Sequence, residues 1–328
     1  MKLSVTSAGF LTTVQDLGRP GFRRFGVSVG GALDSHAFRL GNLLVGNEET
    51  AAGLEITLGG LRLNLPDERL VAWCGGNFDV RVGSVALPAG RAAVIGAGEE
   101  LSIKQPQLGC RAWLAISGGV DVPKVLESRS TDLRSNFGGL VGRALHNGDT
   151  VSLGEESVRA QSFVNNLRQE RTASWSAPHN WASPAQPEPM LRIARGVDWD
   201  RFNHSTPDAL TTETFTVSPD SDRMGARLAG PILQRNDDVD LVSEAVAPGT
   251  IQVPPSGNPI LLLGDCQTIG GYPKIAHVLT VDLPIAAQLR AGDRVRFREV
   301  SLVEAHRLLH ERERHLEQFR VGIKLHMP

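Results

Sequence analysis

Short apolar or alternating runs, each closed by Gly, Pro or Asp, recur along most of this chain. The first half contains "KLSVTS", "LRLNL", "RLVAWC", "FDVRVGSVAL", "AAVIGA", "ELSIKQ" and "RAWLAIS". The second half contains "LRIARG", "TFTVS", "ARLAG", "GTIQVP", "PILLLG" and "RVRFREV". Alternation over a few residues between turn formers is the mark of half-buried strands. Many such runs predict a mainly β protein built from barrels or sandwiches.

Two stretches read differently. Asp34 is placed to cap a helix whose apolar positions are Ala37, Phe38, Leu44 and Val45, with Gly46 as its stop. In the tail, Leu302, Ala305, Leu309, Leu316 and Phe319 share one face of a helix over 301–319. Between the two sets of strands lies a segment holding Pro178, Pro184, Pro187 and Pro189 among Ser, Ala and Asn, with no period. It reads as a linker, with Trp175 and Trp181 pinning it to a domain surface. The expected organisation is an N-terminal β-barrel domain over 1–164, a linker over 165–190, a C-terminal barrel over 191–300, and a helix and tail over 301–328. A repeated phrase fits two related halves. "LHNGDTVSL" (145–153) and "LRAGDRVRF" (289–297) share Leu-x-x-Gly-Asp-x-Val, a turn that leads into a strand.

Bulk composition narrows the function classes. The 328 residues are 41% hydrophobic and 21% charged, with a net charge of −2. That is ordinary for a soluble globular protein of about two domains. It provides no basic field, so neither nucleic acid nor a membrane surface is an expected partner. Cys74, Cys110 and Cys266 are odd in number and form no C-x-x-C, which suits a reducing cytoplasm. The N-terminus is too polar for a signal peptide, and no apolar run approaches the ~20 residues of a spanning helix. A cytoplasmic location is expected. His306 and His310 have i,i+4 spacing, but no carboxylate motif accompanies them or His315, so no metal site is expected.

Gly26-Val27-Ser28-Val29-Gly30 matches G-x-S-x-G, the pattern that presents a nucleophilic serine. That motif needs a helix starting at once and a parallel α/β rhythm around it. Here the helix begins several residues late and the rhythm is absent, so the stretch reads as a glycine-rich loop ahead of a capped helix. The chain also lacks G-x-x-x-x-G-K-[ST], and "GAGEEL" fails the dinucleotide pattern at its last position. No Met-Lys-Met is present to carry biotin. If ATP or biotin is used, it is expected to be handled with, or carried on, another chain.

Several long phrases occur in one order: "TTVQDLGRPGFRRFGVSVGGALDSHAFRLGNLLVGN", "RAWLAISGGVDVPKVLESRST", "SDRMGARLAGP", "GTIQVPPSGNPILLLGDCQTIGGYPKIAHV" and "DLPIAAQLRAGD". With them the chain resembles the family of allophanate hydrolase subunit 2 and biotin-dependent carboxyltransferases. Members of that family include the C-type subunit of the ATP-dependent 5-oxoprolinase, a part of urea amidolyase, and a regulator that antagonises a kinase-inhibitor protein. The resemblance implies tandem cyclophilin-like β-barrel domains with a few short helices and a C-terminal helix. It also implies a heteromeric complex with a small first subunit and a lactam-utilisation subunit. Departures from the family's common pattern fall at Ser28, Glu127, Ala226 and Cys266.

The richest stretch for chemistry is "DCQTIGGYPKI". Gly270 and Gly271 are expected to open backbone conformations that converge amides on an anion. Tyr272, the chain's only tyrosine, donates without carrying charge, Lys274 neutralises a carboxylate or phosphate, and Gln267 pairs with an amide. Asp222 and Arg223 in "SDRMG" are either an anion fork or a surface turn with a local ion pair. Arg129 and Arg134 stand among hydroxyl residues in a loop that suits an anionic group, or else bonds to itself. Arg19 and Asp34 frame the opening loop. Glu55, if it points inward, is either a general base or a salt-bridged core carboxylate.

The resulting expectation is a subunit that helps open 5-oxo-L-proline to L-glutamate, driven by ATP held together with partner subunits. In it Glu55 or Asp265 moves a proton, while Tyr272, Lys274 and Arg223 clamp the substrate. Two alternatives are carboxyl transfer between biotin on another chain and urea or a related amide, and sequestration of a small regulatory protein without turnover.

Overall fold

The computed structural model describes residues 1–237 and 241–326, so the last two positions of the predicted tail lie outside the described residues. The chain divides into two compact units. One comprises Met1–Arg19, Asp34–Ala185 and the chain from Leu316 onward; the other comprises Pro20–Leu33 and Gln186–His315.

In the first unit the elements are β1 (Lys2–Ala8), β2 (Leu11–Gln15), α1 (Ser35–Leu44), β3 (Gly53–Thr57), β4 (Leu61–Asn64), β5 (Arg69–Val82), β6 (Val85–Ala86), β7 (Ala93–Ile95), β8 (Glu100–Ile116), β9 (Thr150–Ser152), α2 (Val158–Leu167) and α3 (His179–Ala182). Its nine-stranded sheet runs β2-β3-β8-β4-β1-β9, with β5 paired to β6, β7 and β8. This is a half-barrel sheet. Alternation along β3 sends Leu54 and Ile56 into the apolar core with Leu114, Trp73 and Ile103. The opposite face carries Glu55, directly across from Thr13 and Trp113. Trp113 meets Phe38 of α1 edge to face at 4.9 Å, so α1 covers that side.

The sequence reads "RLVAWC" and "FDVRVGSVAL" as separate strands, and likewise "ELSIKQ" and "RAWLAIS". In the structure "RLVAWC" and "FDVRV" are one long strand, β5, as the second pair is in β8, while a turn at Gly83 and Ser84 sets Val85–Ala86 apart as β6. Register shifts between Gly75 and Val80 let both strands bend without ending. Gly75 has φ 135°, and a Cβ there would stand 2.2 Å from the Arg111 carbonyl, which explains the glycine.

The second unit contains β10 (Met190–Arg195), α4 (Ser205–Thr212), β11 (Phe215–Val217), β12 (Gly225–Ala229), β13 (Glu244–Ala245), β14 (Thr250–Gln252), β15 (Ile260–Leu262), β16 (Ile269–Gly270), β17 (Lys274–Val278), α5 (Leu283–Ala286) and β18 (Arg294–Glu299). Seven of its strands close into a barrel, β10-β17-β14-β15-β12-β11-β18, sealed by the parallel pair β10–β18. Inside lie Ile193, Phe215, Ile251, Leu261, Ile275 and Phe297, and closure leaves the barrel no free sheet edge. β13 and β16 stand apart as a two-stranded ribbon, with Glu244 opposite Gly270 and Ala245 opposite Ile269.

Both repeated phrases fold into the same turn. Gly148 and Gly292 have φ of 87° and 88°. The Asp149 and Asp293 carboxylates accept from the amides of His146 and Arg290, three residues back, at 2.7 and 3.0 Å. The turns lead into β9 and β18 respectively.

The proline-rich segment, read from the sequence as a linker over 165–190 pinned by its tryptophans, belongs to the first unit as far as Ala185. Ala173 and Ala177 donate to Ala92 and Gly90, and Arg171 accepts from Val94. Trp175 stacks on Phe163 and Trp181 meets His36 edge-on. α6 (Leu302–His326) is longer than the tail helix read from the sequence. Of its predicted apolar face only Leu316 is fully buried, while Leu302 is exposed. Among the described residues no helix is long and apolar enough to cross a membrane.

Candidate functional site

The opening loop settles the Ser28 question. After a 3-10 turn (Arg23–Phe25) the chain bends through Gly26, Gly30 and Gly31, all with positive φ. Helix α1 starts only at Ser35, capped by Asp34, whose Oδ1 accepts from the Ala37 amide at 2.8 Å. Ser28 is therefore on no strand-to-helix elbow. The loop serves the second unit instead. Leu33 packs into its core, Gly31 accepts from Arg223 Nη2 at 2.7 Å, and the Arg23 guanidinium donates to the Val246 and Thr268 carbonyls. Those two carbonyls flank the root of the β13–β16 ribbon, so Arg23 staples its strands together. It also bonds to Cys266, whose thiol is pushed up by burial despite that cation.

Most predicted site residues gather in the second unit. Arg223 and Asp265 form a two-bond pair, Nε–Oδ2 at 2.7 Å and Nη2–Oδ1 at 3.1 Å, with both side chains largely buried. They hold each other, so Arg223 is no open fork for a ligand and Asp265 no free base. Asp222 is exposed, and its Oδ1 closes a turn by accepting from the Met224 and Gly225 amides at 2.7 and 3.2 Å. Gln267 donates to the buried Gln252 amide at 3.2 Å, and Gln252 donates to the Tyr272 carbonyl at 3.1 Å. The Tyr272 side chain is half exposed.

Lys274 opens β17 with its side chain only 8% exposed. Its ammonium bonds Glu244 Oε2 at 2.6 Å and faces Asp198 Oδ2 at 3.9 Å. The same Asp198 oxygen accepts from the Lys274 amide at 2.9 Å. The bond to Lys274 holds the Glu244 carboxyl below its usual range. On the same strand, burial and then the Lys274 charge push the His277 imidazole down.

The diglycine does not act as expected. Neither Gly270 nor Gly271 has a positive φ. A Cβ at 270 would lie 2.8 Å from Gln252 Nε2, the end of a side chain that bonds Tyr272 and Gln267.

Glu55 and Arg129 belong to the first unit. Glu55 is buried on β3. Arg129 lines a cavity of about 280 Å³ with Gly118, Gly119, Asp121 and Gly154. Its guanidinium is engaged by Asp121 at 2.8 Å and the Val122 carbonyl at 2.9 Å. The hydroxyl-rich loop around it organises on Asp16, which accepts from the Ser128 and Ser130 hydroxyls and the Arg129 amide, each at 2.6 Å. That is the self-bonded form of the loop, with Arg134 exposed at its far end. Arg19 is fully buried, donates to the Ser130 carbonyl and lies over the Phe137 ring.

Sequence reasoning missed Asp198, Glu244, Gln252 and Arg23. Asp198 and Glu244 sit 76 and 30 positions from Lys274, in stretches with no motif. Arg23 and Gln252 did lie within conspicuous phrases.

A half-barrel sheet in one unit, and in the other a closed seven-stranded barrel with a buried, carboxylate-bound lysine, define the class as that of paired β-barrel-type domains. The family model "carboxyltransferase domain, subdomain A and B" matches residues 25–299, and the chain belongs to that family. It is 39% identical to the C-type subunit of 5-oxoprolinase from Escherichia coli (strain K12) over 319 residues, covering 96% of this chain and 97% of that one. It is 35% identical to the same 5-oxoprolinase subunit from Haemophilus influenzae, covering 94% of each. The crystal structure of Kluyveromyces lactis urea carboxylase superposes with a TM-score of 0.87 at 27% identity, over 97% of this chain and 29% of that one.

Proposed function

We propose that this chain is part of a cytoplasmic, ATP-dependent 5-oxoprolinase complex that hydrolyses 5-oxo-L-proline to L-glutamate. The observation that carries the reading is near end-to-end similarity to the corresponding 5-oxoprolinase subunits of two bacteria. The complex is completed by a small first subunit and a lactam-utilisation subunit, and ATP is handled together with them.

A lactam amide is a poor electrophile. Phosphorylation of its oxygen makes a leaving group, after which water attacks the ring carbon. In this reading the chain binds and orients the substrate within the second unit. The Lys274 ammonium takes the carboxylate, and the half-exposed Tyr272 hydroxyl donates to the oxygen where negative charge develops. The Gln252–Gln267 amide pair holds the segment between them in place. The Arg223–Asp265 pair fixes the turn behind it and moves no proton. Glu55 and Arg129 are left out of this set.

The similarity to urea carboxylase favours a second reading, carboxyl transfer with biotin borne on another chain. Co-purification with the partner subunits and an assay of ATP hydrolysis decides between them. The expected result is turnover with 5-oxo-L-proline that survives avidin. Avidin-sensitive turnover with urea supports the second reading. Tight partner binding with no turnover of either substrate overturns both in favour of a regulatory module.

A further inference from the structure

The two carboxylates around Lys274 are not equivalent. Asp198 is 12% exposed and locked in place: its Oδ2 accepts from the Lys274 amide and its Oδ1 faces Arg201 Nε at 3.3 Å. Glu244 is 64% exposed and stands on a two-residue strand outside the barrel. An ammonium as enclosed as that of Lys274 needs a close anionic partner in every populated state, because a buried unpaired charge is costly. An exposed carboxylate held through one hydrogen bond is weakly bound, since water competes for it. Glu244 Oε2 holds the close anionic contact of the ammonium at 2.6 Å, so a ligand carboxylate that pairs with Lys274 at that distance competes with it.

We infer that Glu244 is an internal stand-in for the ligand's carboxylate, and that Lys274 receives a small monoanionic carboxylate by exchanging one carboxylate for the other. This rests on the proposed function for the identity of the carboxylate, a lactam acid. Exchange keeps the ammonium paired throughout, and the like charge of a displaced Glu244 works against the arriving anion. Glu244 thereby sets a threshold for carboxylate binding. Specificity for a carboxylate that also carries an amide comes from the neighbouring side chains: Gln267, already bonded to Gln252, and the Tyr272 hydroxyl belong to the same segment.

The test is isothermal titration of the full chain with 5-oxo-L-proline, with 2-pyrrolidinone, the same lactam lacking the carboxylate, and with acetate. Glu244→Gln keeps the size of the side chain and removes its charge at an exposed position. It is expected to tighten 5-oxo-L-proline about fivefold and to leave 2-pyrrolidinone unchanged. Lys274→Met, with its fold checked by circular dichroism, is expected to abolish carboxylate binding. Unchanged or weaker binding to Glu244→Gln, equal gains for 2-pyrrolidinone, or no binding to either chain overturns the inference. If Glu244→Gln tightens acetate and 5-oxo-L-proline alike while the assembled complex turns over no lactam, the exchange stands and the proposed function falls.

Discussion

At the scale of single residues, partners within the fold decide what a side chain does. Asp265 and Arg223 look like acid–base and anion-binding groups in the sequence, yet each is the other's partner. Asp265→Asn removes the carboxylate partner of a largely buried guanidinium and is expected to cost about 2–4 kcal/mol of stability, read as a lower midpoint in urea unfolding. His277 gives a pH signature. Its folded imidazole titrates below the ordinary 6.5, through burial and the nearby Lys274. Above that value both folded and unfolded chains are neutral there. As pH falls below 6.5 the unfolded chain takes up a proton that the folded chain refuses, so stability declines until the folded value is reached. His277→Gln should flatten that part of the stability–pH curve, and ring NMR of the native protein should show the depressed midpoint. A midpoint at or above 6.5 contradicts the assignment. The segment holding Tyr272 and Lys274 was legible because its residue types are unusual. Their counter-groups, Asp198 and Glu244, were not, because ordinary acids become partners only when distant strands meet.

Among the elements, alternation located most strands, and its failures are instructive. β5 and β8 read as four strands because Gly75 and Pro106 look like stops. The ladder instead absorbs them as irregularities, and pattern alone does not separate a bulge from an end. Gly75→Ala is expected to cost more than ~3 kcal/mol, since the backbone is strained and the new methyl meets a carbonyl. Gly83→Ala, with φ 56° and open space around it, should cost about 1 kcal/mol. Thermal unfolding of the two variants measures the contrast, and equal losses would remove the bulge argument. The two-residue strands β13 and β16 were invisible in the sequence. They are too short to show a period, and Arg23 ties their roots together through the Val246 and Thr268 carbonyls.

For the whole molecule, the unit boundaries follow packing rather than chain order. Residues 20–33 serve the second unit, and the chain from Leu316 onward serves the first. Leu316 and Ile323 are buried there, Phe319 meets Trp181, and Arg320 bonds Glu49. Burial raises the Glu49 carboxyl, but Arg39 and Arg320 outweigh it and hold the group below its usual range. Its contribution is therefore present above about pH 4.5 and is lost as pH falls through the folded value. Truncation after His315 removes these contacts. Each apolar side chain is worth ~1.5–3 kcal/mol of burial, so the melting temperature should fall by at least about 5 °C in calorimetry. An unchanged transition would show that the last turns of α6 carry no load.

By itself the sequence determined that the protein is mainly β, where most strands and both turn repeats lie, that Asp34 caps a helix, and which family's phrases it carries. These are local properties, written in periodicity and in residues with few allowed conformations. Only the tertiary structure decided that one sheet closes and the other does not, that the opening loop belongs with the barrel, and that Lys274 is held between a fixed and an exposed carboxylate. Those outcomes depend on pairings between residues far apart in the chain. Such pairings are selected by burial and charge compensation in the folded molecule, which no short window of sequence records.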